Sequence, residues 1–273
     1  MLRRDHAPGH GPLTAPTPFT PFTQLTPLTP LVPRTLDTAP LPAVLTPPGT
    51  GPELWQLRLA EHRASIADGY AMLDAAERTR YASYRKPDDR DLYATAHIGL
   101  RRLLGGYLGR DPAAVVFGRE PCPLCVGPHG RPYVPGADLH FSLAHSGDLV
   151  LFAFAATPVG VDVERLVDLA VADEISTVLH PRERVELSGV AAADRPAAFA
   201  RCWCRKEAYL KGTGTGLGVP AAESYVGAGP WPGHVPGWTL SDVTAQPGYA
   251  AAVALATTPP SHEATEGRGA VEP

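Results

Sequence analysis

Three short stretches of this chain carry residue types and spacings that could do chemistry. The first is Gly160-Val161-Asp162-Val163-Glu164. Read as a strand, its side chains alternate, so Val159, Val161 and Val163 turn to one face while Asp162 and Glu164 stand together on the other. Two carboxylates so placed repel unless a cation lies between them. Oxygen ligands with open positions are what Mg2+ takes when it also holds substrate phosphates. A solvated strand face paired with arginines is the other reading of the same residues.

The second stretch is Trp203-Cys204-Arg205-Lys206-Glu207-Ala208-Tyr209-Leu210-Lys211. At helical spacing Phe199, Trp203 and Leu210 define an apolar stripe, with Lys206 inside it and Glu207 at its edge. An ammonium inside such a stripe is costly unless an anion meets it there. Glu207 and Lys211, four apart, could form an ordinary surface ion pair, which leaves Lys206 unexplained. The third stretch joins Gly130-Arg131-Pro132 to Phe141-Ser142-Leu143-Ala144-His145-Ser146. An arginine between Gly and Pro sits on a stiff loop and can grip a phosphate through two N–H bonds. His145 and Ser146 at a strand end suit a second phosphate, although a strand-end histidine also occurs as a surface or satisfied core residue.

The elements that must position these groups follow from periodicity. LWQLRL (54–59) reads as a strand, and 72–84 and 89–108 as amphipathic helices. Strands at 139–146 and 149–156 form a hairpin turned by Ser146-Gly147-Asp148. The second half repeats the plan, with a strand at 159–164, helices near 169–179, 182–187 and 196–211, and closing strands near 238–244 and 249–255. The expected fold is α+β, two similar subdomains with pseudo-twofold character, each a small antiparallel sheet packed with helices. The expected boundaries are a Thr/Pro-rich extension over 1–50, the two halves over 51–157 and 158–257, and a tail over 258–273. Proline at the density of TAPTPFTPFTQLTPLTPLVP blocks helix and ladder hydrogen bonds, so the extension should be extended or disordered.

A chain of 273 residues with 44% hydrophobic content can bury a real core. It contains no run of about 18 apolar residues and no apolar leader at its start, so a cytoplasmic protein with no membrane partner is expected. A formal net charge of -4 gives no overall positive field for nucleic acid or anionic membrane, so any bound anion must meet local cations. Cys122-Pro123-Leu124-Cys125 with His129 has the spacing of half a zinc site, but no second pair follows at a suitable distance. The expectation there is a turn-rich loop leading into Gly130-Arg131-Pro132. Cys202 and Cys204, two apart on a helix, point to nearly opposite sides and cannot chelate jointly.

In this order and separation, GRP, FSLAHS, GVDVE and WCRKEAYLK resemble the motifs of the 4'-phosphopantetheinyl transferase superfamily, specifically its longer, surfactin-synthetase-activating type. The resemblance covers about Trp55 to Leu255, and the last two motifs are specific as a pair. It implies an enzyme that moves the phosphopantetheine arm of coenzyme A to a serine of apo carrier proteins, such as those of polyketide or nonribosomal peptide synthases, releasing 3',5'-ADP. It further implies that Asp162, Glu164 and Glu207 hold Mg2+ against the pyrophosphate and that Lys206 and Lys211 contact phosphate. Arg131 and His145 would meet the adenosine 3'-phosphate with Ser146 beside them, and Lys86 and Arg90 would bind the same nucleotide. Glu183 falls where many members carry a glutamate near the metal. Glu207, directly or through water, would take the proton from the carrier serine. Ala144 and Cys204 depart from the serine and the serine or threonine common there. A monomer is expected, since two fused halves make their own site. The alternatives are a housekeeping enzyme for the fatty-acid carrier and, in another class, a coenzyme A-binding regulatory protein without transfer.

Overall fold

A computed structural model of the chain describes residues 30–42 and 44–257. The tail expected at 258–273 and the extension through residue 29 lie outside the described residues. The first half runs β1 (Arg34–Thr35), β2 (Glu53–Arg58), the short turns α1 (Leu59–His62) and α2 (Ile66–Gly69), α3 (Ala75–Ser83) and α4 (Pro87–Leu108). It continues through the two-residue ladder of β3 (Gly118–Arg119) with β4 (Pro132–Tyr133) to β5 (His140–Ser146) and β6 (Leu149–Ala155). The second half is β7 (Val159–Arg165), α5 (Leu169–Ser176), α6 (Pro181–Ser188), α7 (Arg195–Thr213), β8 (Trp238–Asp242) and β9 (Tyr249–Ala256). The sheets have the orders β1-β2-β6-β5 and β7-β9-β8, antiparallel except for β1 against β2. This is the α+β architecture with one small sheet and its helices in each half. No described helix is long and apolar enough to cross a membrane.

Local sequence explains most boundaries. Asp74 and Glu77 form a reciprocal capping box at the start of α3. Proline opens α4 and α7, and Gly109 and Gly214 end them in left-handed conformation at φ 59 and 80°. Three apolar clusters then hold the molecule. One face of β6 (Val150, Phe152, Phe154) packs on α4 in the first half. Its other face (Leu149, Leu151, Ala153, Ala155) meets Val159, Val161 and Val163 of β7 in a cluster between the two sheets. The third cluster lies under α7. Covered on both faces, β6 reads as an unbroken apolar run rather than an alternating one. Ala144 is buried in the cluster between the sheets, so a hydroxyl there would face the core.

The extension expected to be unordered to residue 50 is instead packed from residue 31. Leu31 accepts from Thr244 N and donates to Asp242 O, β1 lies beside β2, and Leu36 is fully buried. Its prolines forbid a continuous ladder, but a short edge strand between them needs few backbone donors. Leu31, Leu36 and Leu45 supply the apolar surface that holds it.

Candidate active site

Helix α7 lies across the face of β7 that carries the carboxylates. Small residues allow the approach: a Cβ at Gly160 would fall 2.0 Å from the Ala208 carbonyl oxygen and 2.3 Å from the Gly212 nitrogen. Ala252 and Ala254 of the neighbouring β9 belong to the same small-residue contact. Gly160→Ala is therefore expected to cost about 3 kcal/mol or more, because backbone on both sides must move. A chemical-denaturation midpoint equal to that of the wild type would contradict this seating.

The seating brings Lys211 Nζ to 2.5 Å from Asp162 Oδ1. Asp162 is 3% exposed, and its Oδ2 is buried without a hydrogen-bond partner among the described residues. The neighbouring Cys204 thiol donates to the Ala250 carbonyl at 3.2 Å. Burial pushes the Asp162 carboxyl up to about 7; Lys211 opposes this, while Glu164 and Glu207 add to it. The Glu207 carboxyl is also raised, first by burial, with Lys211 opposing and Glu164 reinforcing. Glu164 Oε2 accepts from Ser146 Oγ at 2.8 Å, and Ser146 Oγ accepts from Arg165 N. Ser146 thus orients an acidic group rather than standing free for a phosphate.

The structure therefore gathers Asp162, Glu164, Glu207 and Lys211 at one place, with both glutamates acting on Asp162 and Glu164 acting on Glu207. The carboxylate oxygens do not all come within 4.8 Å of one another; among the described residues the three-ligand group that does is Cys122, Cys125 and His129. An orphaned, buried carboxylate oxygen flanked by two further carboxylates fits a hard divalent cation with open positions.

Lys206 does not join them. It is 1% exposed, and its Nζ bonds Glu183 at 2.8 Å and the Ser224 carbonyl on the far side of α7. Glu183, fully buried, also accepts from Val226 N at 2.7 Å and caps α6 through His180 N at 3.1 Å. The anion that the apolar stripe demanded is a protein carboxylate, so the phosphate contact expected of Lys206, like the metal neighbourhood expected of Glu183, gives way to a buried structural pair.

A cavity of about 700 Å³ opens beside Lys211, between α3, α4, β5 and the loop that ends at Arg131. Arg80, Arg119, Arg131 and Lys211 line it, supplying the local cations that a net charge of -4 required, with the His97 ring beside them. Glu77, also at its wall, is committed to Arg101 and His97. Arg131 presents less of its fork than expected: Nε and Nη2 bind Glu120, and Nη1 donates to the Gly212 carbonyl of α7 at 3.0 Å. Its side chain ties the first half to the second.

His145 is exposed at the end of β5, yet the protein behind it desolvates the ring and Lys211 lies near, so its pKa is held below the ordinary histidine value. Asp89 of the first turn of α4 acts weakly on the same ring in the opposite direction. Lys86 caps α4 and is exposed; Arg90 lies in its first turn against the Tyr81 ring, 5.4 Å from its centroid. Neither reaches the cavity wall. Arg80, Arg119 and His97 escaped the sequence reading because they lie outside the three motifs and meet only through the packing of α3 and α4 on β5.

The family model described as the 4'-phosphopantetheinyl transferase superfamily matches residues 158–229, the segment of β7 to α7 and the loop beyond. The chain is 30% identical over 227 residues to the 4'-phosphopantetheinyl transferase HetI of Nostoc sp., covering 80% of this chain and 92% of that protein. It is 31% identical over 123 residues to a 4'-phosphopantetheinyl transferase of Bacillus subtilis, a match spanning 44% of this chain and 54% of the relative. With the 4'-phosphopantetheinyl transferase Sfp of Bacillus subtilis strain 168 it shares 27% over 159 residues, 54% of this chain and 68% of the relative.

Proposed function

The chain belongs to the 4'-phosphopantetheinyl transferase superfamily, and from that membership we propose that it moves the arm of coenzyme A to apo carrier domains of polyketide or nonribosomal peptide synthases, releasing 3',5'-ADP. The observation that carries the reading is the meeting of Asp162, Glu207 and Lys211 beside a cavity lined by basic residues, between the 51–157 and 158–257 halves.

Mg2+ would be held by Asp162, Glu164 and Glu207, with Ser146 orienting Glu164; when bound it supplies neutralising charge to the diphosphate. Lys211 reaches from Asp162 to the cavity and binds the same diphosphate, where it stabilises charge growing on the departing nucleotide. Arg131 fixes the cavity wall against α7, and His145, Lys86 and Arg90 offer further donors at the rim for the nucleotide phosphates. Glu207 is a stronger base than an exposed glutamate because burial raises its pKa. It takes the proton of the carrier serine, directly or through water. The serine oxygen attacks the β-phosphorus, the bond to the bridging oxygen breaks, and the electron pair leaves with the nucleotide. Lys206 acts at a distance, holding α7 to α6. The enzyme works as a monomer in the cytoplasm.

The test is incubation with coenzyme A, Mg2+ and a panel of apo carriers, followed by intact-protein mass spectrometry. One added phosphopantetheine per carrier is expected. Binding of coenzyme A with no carrier labelled across the panel would favour the regulatory alternative instead.

A further inference from the structure

The loop between β3 and β4 contains a second cluster that the transfer chemistry does not use. One ligand atom each from Cys122, Cys125 and His129 lies within 4.8 Å of the others, and Cys125 Sγ is 2.9 Å from His129 Nε2. Cys122 is buried while Cys125 and His129 are exposed, so the cluster is anchored on one side and open on the other. The chain folds tightly around it: Cys122 N donates to Gly127 O and Val126 N to Cys122 O, both at 2.8 Å. Val126 adopts φ 62°, the sole non-glycine residue among the described residues in the left-handed region. For a β-branched side chain this is a disfavoured state, and at 78% exposure packing does not impose it.

We propose that Cys122, Cys125 and His129 bind a zinc ion that clamps this loop. Two thiolates and an imidazole at these separations are a borderline-soft donor set, which selects zinc over Mg2+ and leaves a fourth position to water. On binding, each thiol gives its proton to solvent and the imidazole binds in its neutral form. The clamp acts on the cavity through the chain itself. His129 lines the cavity, Gly130 N is bonded to Glu120 O, and Arg131 binds both Glu120 and the Gly212 carbonyl of α7. Closing the turn therefore holds the arginine that joins the halves, and its loss loosens the cavity wall without touching Asp162 or Glu207.

Zinc content is read on the full chain, purified with a phosphine reductant and without chelator or added Mg2+, by inductively coupled plasma mass spectrometry. About one zinc per chain is expected in the wild type, falling to near none in Cys125→Ser and in His129→Ala. Dialysis against a chelator should lower Tm, with Zn2+ but not Mg2+ restoring it, and should raise KM for coenzyme A more than it lowers kcat. A wild-type chain that neither retains zinc nor changes Tm when offered it overturns the proposal. So does a zinc content unchanged in both variants, which would place the ion elsewhere. The zinc-content and Tm readouts need neither coenzyme A nor carrier, so their outcome is separate from that of the transfer assay.

Discussion

Asp162→Asn should lower kcat/KM for carrier modification by at least about a hundredfold while leaving the metal-free protein as stable as the wild type at pH 8, or more so. The residue is 3% exposed, with one oxygen on Lys211 and the other without a partner among the described residues, so as a structural element it is poorly served. Its carboxyl is raised to about 7, so the folded chain holds that proton more tightly than the unfolded chain does. The stability linked to it is full below about pH 4, the unfolded value, and is lost as pH rises through about 7. Above that point the buried charge is a cost, which asparagine removes. The stabilities of the two proteins should therefore draw together as the pH falls toward 5. Mg2+ should raise Tm of the wild type at pH 8 and leave that of the variant unmoved. Calorimetry at both pH values and a carrier-labelling rate check this. Wild-type kcat/KM in the variant would remove Asp162 from the site.

Lys206→Met should destabilise the fold by about 3–5 kcal/mol, the cost of stranding a buried carboxylate. Glu183 is 0% exposed and has Lys206 as its cation at 2.8 Å. The double variant with Glu183→Gln should recover part of that loss, since the two single effects belong to one interaction and cannot add. In the folded fraction, KM for coenzyme A should stay close to that of the wild type. Urea unfolding and coenzyme A titration decide between the roles: a large rise in KM at unchanged stability would return Lys206 to the phosphates.

The contrast between these lysines shows how far the residue pattern carried. Period-2 alternation in VGVDVE and the helical stripe of α7 are local, so Asp162 opposite its valines, Lys206 inside the stripe and Glu207 at its edge were legible without coordinates. The hairpin at Gly147 and the α+β class of the fold rest on equally short-range chemistry.

Tertiary structure alone decided which partner each charge found. Lys206 needed an anion, but local spacing cannot tell a phosphate from Glu183, which lies 23 residues away on another helix. Arg131 could have opened its fork to a ligand; the packing of its loop on α7 gives most of it to Glu120 and Gly212. Half a zinc motif in the sequence gained its meaning when the loop closed Cys122, Cys125 and His129 on one another. The proline-rich strap gained its order only from the apolar surfaces that cover Leu31 and Leu36. Periodicity records which way a side chain points, because that is set by its own backbone. What it meets there depends on chain that is distant in sequence, and burial makes that partner obligatory.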